Sequence, residues 1–172
     1  MLKKEDVPEL AKKTIENYIL YGEMYDIDKK LAEEVKREAG VFVTLKKNGK
    51  LRGCIGTIRP TQKNIVAEVQ KNAISAAEHD PRFPSLEEDE LNDIDYSVDI
   101  IGEMEKVANK DELNPEKYGV MVKGDHKSGL LLPDLEGVDT VKEQLSIARK
   151  KAGLNKDEEI EIYRFEVKRY TE

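Results

Sequence analysis

One pattern of apolar runs and turns occurs twice along the chain, and this duplication constrains the fold more than any single residue does. Gly40-Val41-Phe42-Val43 returns as Gly119-Val120-Met121-Val122, and in both places a turn, a second strand, a helix and a closing strand follow in the same order. In the first copy Asn48-Gly49 separates two apolar runs, and a type I′ turn needs positive φ at both central residues, so Val41–Leu45 is predicted to pair with Leu51–Gly56. That pairing sets Leu45 opposite Arg52 and Val43 opposite Cys54. Strict alternation then puts Arg52 and Cys54 on one face, about 7 Å apart, with Leu51 and Ile55 on the other.

The rest of each copy follows from periodicity. Pro60-Thr61 opens a helix with Thr61 as its N-cap, and Ile65, Val66, Val69, Ala73, Ile74, Ala76 and Ala77 form its apolar stripe. Pro81 biases Asp80 away from helical angles, so the helix ends at His79-Asp80-Pro81-Arg82-Phe83-Pro84, and a strand is predicted over Asp93–Ile101. The second copy has Gly124-Asp125 at its turn, Gly129-Leu130-Leu131-Leu132-Pro133 as its inner strand, and a helix from Val138 to Ala152 capped by Gly153. Its closing strand is predicted over Glu159–Tyr170, with a bulge near Tyr163 where the apolar phase slips. Two helices precede the first copy: one from Asp6 through Tyr18, the other from near Asp28 to Gly40 with Leu31, Ala32 and Val35 inward.

The expected fold class is therefore α+β: duplicated hairpin–helix–strand units sharing one curved, largely antiparallel, barrel-like sheet with helices outside. Residues 1–172 are read as a single domain, with N-terminal helices in 1–39, the first repeat in 40–102 and the second in 118–170. With 38% charged and 38% apolar residues the chain has the composition of a folded globular protein. A single cysteine excludes an internal disulfide, and two histidines, His79 and His126, give no zinc-like spacing, so neither a metal nor a cofactor is expected. No apolar run is long enough for a signal peptide or a membrane span, so a cytoplasmic protein is expected, with no membrane partner.

The two copies differ where function is to be sought. The second fills its inner strand with leucines, as a core strand should be filled, whereas the first places Arg52, Gly53 and Cys54 there. From Ala39 to Ala67 there is no Asp or Glu, and Lys46, Lys47, Lys50, Arg52, Arg59 and Lys63 give +6 within a chain of net −7. Three readings follow. In the first, the strand recognises an anionic small molecule or partner protein through Arg52, Arg59, Lys63 and Arg82, with Gly53, Cys54 and Gly56 permitting close approach. In the second, Cys54 is a catalytic nucleophile or redox thiol, Arg52 favours its thiolate and His79 is a weaker candidate base. RNA is the third and second-choice ligand, since only Phe42 and Phe83 lie near the motif as stacking partners. Against all three, a lone cysteine most often packs as a small apolar group, and strand glycines often serve only to bend a sheet.

The hexapeptide Leu51-Arg52-Gly53-Cys54-Ile55-Gly56 resembles the hallmark of the AMMECR domain family. The similarity continues through Asp80-Pro81-Arg82-Phe83-Pro84, Gly129-Leu130-Leu131-Leu132-Pro133 and Tyr163-Arg164-Phe165. The resemblance implies a duplicated α+β fold with a barrel-like sheet and brings no assigned reaction. It also implies an association, as component A of the AmmeMemoRadiSam system, with a Memo-like protein and a radical SAM protein. His79 lies outside the hallmark.

Overall fold

The computed structural model describes residues 6–27 and 37–172. The helix expected from near Asp28 to Gly40 falls largely outside the described residues. Two compact units are present, one comprising residues up to Ile101 together with Lys168–Glu172, the other Gly102–Val167.

In the first unit Asn48 and Gly49 adopt φ of 50° and 75°, so the predicted turn closes the hairpin of β1 (Val41–Lys47) and β2 (Lys50–Gly56). The register departs from strict alternation. Lys47 faces Lys50 and Lys46 faces Leu51, but Leu45 then faces Gly53 and Thr44 faces Cys54, which leaves Arg52 as the extra residue of a β-bulge. The expected pairs Leu45/Arg52 and Val43/Cys54 are therefore corrected, and the alternation that set Arg52 and Cys54 on one face is broken at Arg52. The helix α2 (Ile65–Glu78) covers the hairpin, and β3 (Ile94–Ile101) pairs with β1. Val41, Val43 and Leu45 meet Val66, Val69 and Ala73 in a core completed by Tyr96 and Val98 of β3. Over α2 and β3 lies α1 (Asp6–Tyr21), which buries Val7, Leu10, Ala11 and Ile15.

The second unit repeats this plan. Its hairpin is β5 (Gly119–Lys123) and β6 (Ser128–Leu131), α3 (Val141–Ala152) packs on it, and β7 (Glu161–Phe165) pairs with β5. A two-residue strand β4 (Glu105–Lys106) borders β7. Thr140 and Glu143 form a capping box at the start of α3, and Gly153 takes φ of 66° at its end, as expected from its position.

Correspondence between the units extends to single contacts. Asn72 of α2 donates to the Val41 carbonyl (3.0 Å), and Gln144 of α3 donates to that of Tyr118 (2.8 Å). A Cβ on Gly53 would collide with the backbone oxygen of Ala76, and one on Gly129 with that of Ala148. Each glycine thus lets a helix backbone rest directly on a strand.

Each unit has its own four-stranded sheet, so the expected single barrel-like sheet is corrected. Strand order is β2-β1-β3-β8 in one, where β8 is Val167–Thr171, and β4-β7-β5-β6 in the other. The cause lies in the last strand. Instead of one run from Glu159 to Tyr170 bulged at Tyr163, the chain breaks at Glu166 into β7 and β8 (Val167–Thr171), and β8 joins the first sheet beside β3. The apolar phase slip at Tyr163 falls inside β7, where the register with β5 is unbroken, and the change of sheet follows it at Glu166. At this crossing the Gly102 N–H donates to the Glu166 carbonyl (2.8 Å), so the chain enters and leaves the second unit side by side.

Candidate functional site

Cys54 is half-buried on β2, and its Sγ lies 3.2 Å from Thr44 Oγ1 across the hairpin in a thiol–hydroxyl hydrogen bond. Its backbone is gripped from outside the sheet. The Cys54 N–H donates to Asp80 Oδ2 (2.8 Å), and the Cys54 carbonyl accepts from Arg82 Nη2 (3.3 Å). Asp80, only 4% exposed, also accepts from the Arg82 backbone N–H (3.1 Å), Nε (2.9 Å) and Nη2 (2.7 Å). The Arg82 guanidinium, aided by the N–H groups of Cys54 and Arg82, outweighs burial and holds the Asp80 carboxyl well below the usual carboxylate range. Pro81 makes the link possible, because it ends the helix and turns Arg82 back over its own neighbour.

A second carboxylate organises the bulge. Glu90, in a 3-10 turn over Glu88–Asp93, takes Arg52 in a two-pronged pair (Nε to Oε1, 3.0 Å; Nη2 to Oε2, 2.8 Å) and also accepts from Lys47 (3.1 Å). Arg52 Nη1 and Nη2 also donate to the carbonyls of Pro84 (3.0 Å) and Ser85 (3.2 Å). The Arg52 guanidinium beside Glu90 brings that carboxyl down to about 2, against the opposing effect of burial. The Phe83 ring packs with both guanidiniums, its centroid 6.0 Å from that of Arg52 and 5.6 Å from that of Arg82.

A third carboxylate, fully buried Glu68, fixes the loop after β2. It accepts from the hydroxyls of Thr57 (2.7 Å) and Thr61 (2.9 Å) and from the N–H groups of Thr61 and Gln62 (both 2.7 Å). Burial raises its affinity for a proton, and these donors together more than offset that, so its carboxyl titrates lower than usual. Thr61 is consequently not the N-cap of α2. That role belongs to Asn64, whose side chain accepts from the Ala67 N–H (2.9 Å), and the helix starts at Ile65.

The structure gathers some of the residues singled out in the sequence and disperses others. Cys54 and Arg82 are joined directly, and Arg52 adjoins them through Phe83. Gly53 lies under α2, and Gly56 lies against the Phe42 ring. His79 is exposed at the end of α2, its backbone N–H donating to Ser75, and no hydrogen bond joins it to Cys54. The carboxylate-free stretch is not one patch. Lys46, Lys47 and Lys50 sit at the turn end of β2, while Arg59 and Lys63 follow its other end, about 20 Å away at strand rise. Lys63 lines a separate hollow of about 390 Å³ with Tyr25 and Asp26.

Sequence reasoning missed Asp80, Glu90, Glu68 and Thr44 as builders of the site. An Asp-Pro-Arg turn is a local signal for Asp80, since Asp side chains commonly bond the N–H two residues on. Glu90 has none, being 38 residues from Arg52. Among the described residues no group of three or more His, Cys, Asp and Glu is placed to hold a metal ion, and no helix is long and apolar enough to cross a membrane.

The two-sheet frame and the clasp that Asp80, Arg82, Glu90, Arg52 and Lys47 form around Cys54 describe a duplicated α+β domain in which carboxylates fix a thiol-bearing strand. The chain belongs to the AMMECR1 family, whose model matches residues 8–170. A protein from Thermotoga maritima is 54% identical over 163 residues, covering 93% of this chain and 94% of its own length. Protein CA_C1420 from Clostridium acetobutylicum is 48% identical over 171 residues that make up 98% of this chain and 36% of that one, so the domain there is part of a longer protein. Among solved structures, the uncharacterized protein PH0010 from Pyrococcus horikoshii has the same fold, with a TM-score of 0.87 at 30% identity over 96% of this chain and 89% of that one.

Proposed function

We propose that this protein is a binding component that receives an anionic group, from a small molecule or a partner protein, beside Cys54, with Arg82 as the receiving cation. One observation carries the reading. Asp80 is 2% exposed at its side chain while the guanidinium it orients belongs to a side chain 55% exposed, so a buried anion aims an outward cation. Arg82 Nη1 makes no hydrogen bond within the described residues and is left to a ligand. Lys47, Arg52 and Arg82 against Asp80 and Glu90 leave the clasp one positive charge, favourable to an anion in an otherwise acidic chain. Arg52, with all three guanidinium nitrogens engaged, acts as a positioning residue. A Memo-like and a radical SAM protein, the associates that the family resemblance implies, are the first partners to examine.

A second reading, thiol chemistry at Cys54, is favoured by the half-buried sulfur and its Thr44 hydroxyl partner. One set of titrations separates the two. Inorganic phosphate, citrate, a short single-stranded RNA and an acidic peptide are titrated against wild type, Arg82→Ala and Cys54→Ser. Loss of one charge-assisted hydrogen bond, worth about 2 kcal/mol, weakens anion binding roughly thirtyfold in Arg82→Ala. Binding also falls with salt, while Cys54→Ser binds as wild type does. Anion binding that ignores both salt and Arg82 ends the proposal. Rapid iodoacetamide labelling of native Cys54, slowed by Thr44→Val, would move the assignment to the thiol.

A further inference from the structure

The first unit fills with a helix a groove that the second unit leaves open. Helix positions correspond at a spacing of 72, as the pairs Asn72/Gln144 and Ala76/Ala148 show by their equivalent contacts. Strand positions correspond through their partners: Leu45 pairs with Gly53 and Tyr96, Val122 with Gly129 and Ile162, so Val122 stands in the place of Leu45 and not in that of Val43, with which the recurring runs aligned it. In the first unit Tyr96 is 1% exposed and lies against α1, with Lys12 Nζ 5.9 Å from its ring centroid. Its counterpart Ile162 is half-exposed. The same holds for Ile94 against Ile160 and for Val69, fully buried, against Val141. The segment before β5 offers nothing to match α1, since its only described helix is the three-residue 3-10 turn Lys110–Glu112.

What remains is a groove of about 1380 Å³ between α3 and β7, floored by Val141, Leu145, Leu154, Ile160 and Ile162. That volume exceeds the ~300–1,000 Å³ of a small-molecule pocket. Its rim is basic, with Lys142 and Lys150 on α3, Lys110 on the 3-10 turn and Lys156 in the loop after α3. Lys110, Lys142, Lys150 and Lys156 line it without an ion pair among the described residues. The lining carboxylates Asp157, Glu158 and Glu159 are confined to the loop after α3, and Glu158 is engaged by the Asn155 N–H (2.9 Å). We infer that this groove is a docking site for an acidic amphipathic helix of a partner protein, seated as α1 is seated in the first unit. The apolar floor takes its hydrophobic stripe, and the four lysines meet its carboxylates.

The α1 sequence itself supplies the probe. A labelled peptide of residues 6–21 carrying Lys12→Glu and Lys13→Glu keeps the apolar stripe and replaces its two positive charges by two negative ones. Fluorescence anisotropy with the full chain is expected to show saturable binding, weaker for the unmodified peptide and weaker at 200 mM than at 50 mM salt. The exposed double variant Lys142→Glu/Lys150→Glu and the floor variant Val141→Arg should each reduce affinity at least tenfold with unchanged circular dichroism. Absence of saturable binding, or binding equal in wild type and both variants, overturns the proposal. Concentration-dependent dimerisation abolished by Val141→Arg also overturns it, since the occupant would then be a second copy of this chain.

Discussion

Arg52 and Arg82 are both held by carboxylates, and the difference lies in how much of each guanidinium remains. Arg52 is 11% exposed at its side chain and bonded at all three guanidinium nitrogens, whereas Arg82 is mostly exposed, its Nη1 unbonded among the described residues. Removing Glu90 should therefore harm stability, while the anion site itself keeps its cation. Because Glu90 has a lowered folded-state value of about 2, its contribution is complete above about pH 5 and is lost as pH falls toward that value. Asp80 adds a loss that continues to still lower pH. Glu90→Gln should cost about 2 kcal/mol at pH 7 and flatten the stability profile between pH 5 and 2. Urea unfolding across that range measures it, and a variant profile parallel to wild type would show that the pair contributes nothing. At this scale the sequence marked Cys54 and Arg52 because an arginine and a thiol are odd occupants of a core strand, and Arg82 as a cation of the Asp-Pro-Arg turn that follows the helix. It left Glu90 unmarked because long-range charge pairs follow no spacing.

Among the elements, the hairpins and helices rest on glycines that hold a place open. Gly53→Ala would drive a methyl group into the Ala76 carbonyl, and Gly129→Ala would do the same at Ala148. Backbone oxygens in a helix do not rotate aside, so the helix must lift, and each change should cost about 3 kcal/mol. Hydrogen exchange should show faster opening of α2 and β2 in the first variant and of α3 and β6 in the second. Equal protection to wild type would mean that the helices have slack. Asn48-Gly49 and Gly153 were legible because each needs a backbone angle few residues adopt. Thr61 misled because its hydroxyl serves Glu68 rather than a helix end, and such recruitment is invisible until the chain is folded. The bulge at Arg52 was hidden for a similar reason, since one extra residue leaves composition untouched and shifts only partners.

For the whole molecule, the duplicated plan was readable from recurring runs, but the expectation of one sheet failed at Glu166, a polar position that carries no sign of a strand break, three residues beyond the phase slip at Tyr163. The second unit is inserted between β3 and β8, and its two ends are bonded at Gly102 and Glu166. Replacing residues 103–165 by Asn-Gly should therefore give a chain that closes β3 onto β8 as a hairpin and folds alone. Its amide NMR spectrum should overlay that of the full protein for α1, α2 and β1 to β3, and a collapsed spectrum would show that the first unit depends on the second. The same insertion orders events on the ribosome. When Ile101 has been synthesised, β3 stands as an open edge, and the strand that covers it comes 66 residues later, after 102–167. At 5–20 residues per second that wait is about 3–13 s. For those seconds a nascent edge strand is exposed, and whatever shields it in the cell acts before the protein is whole.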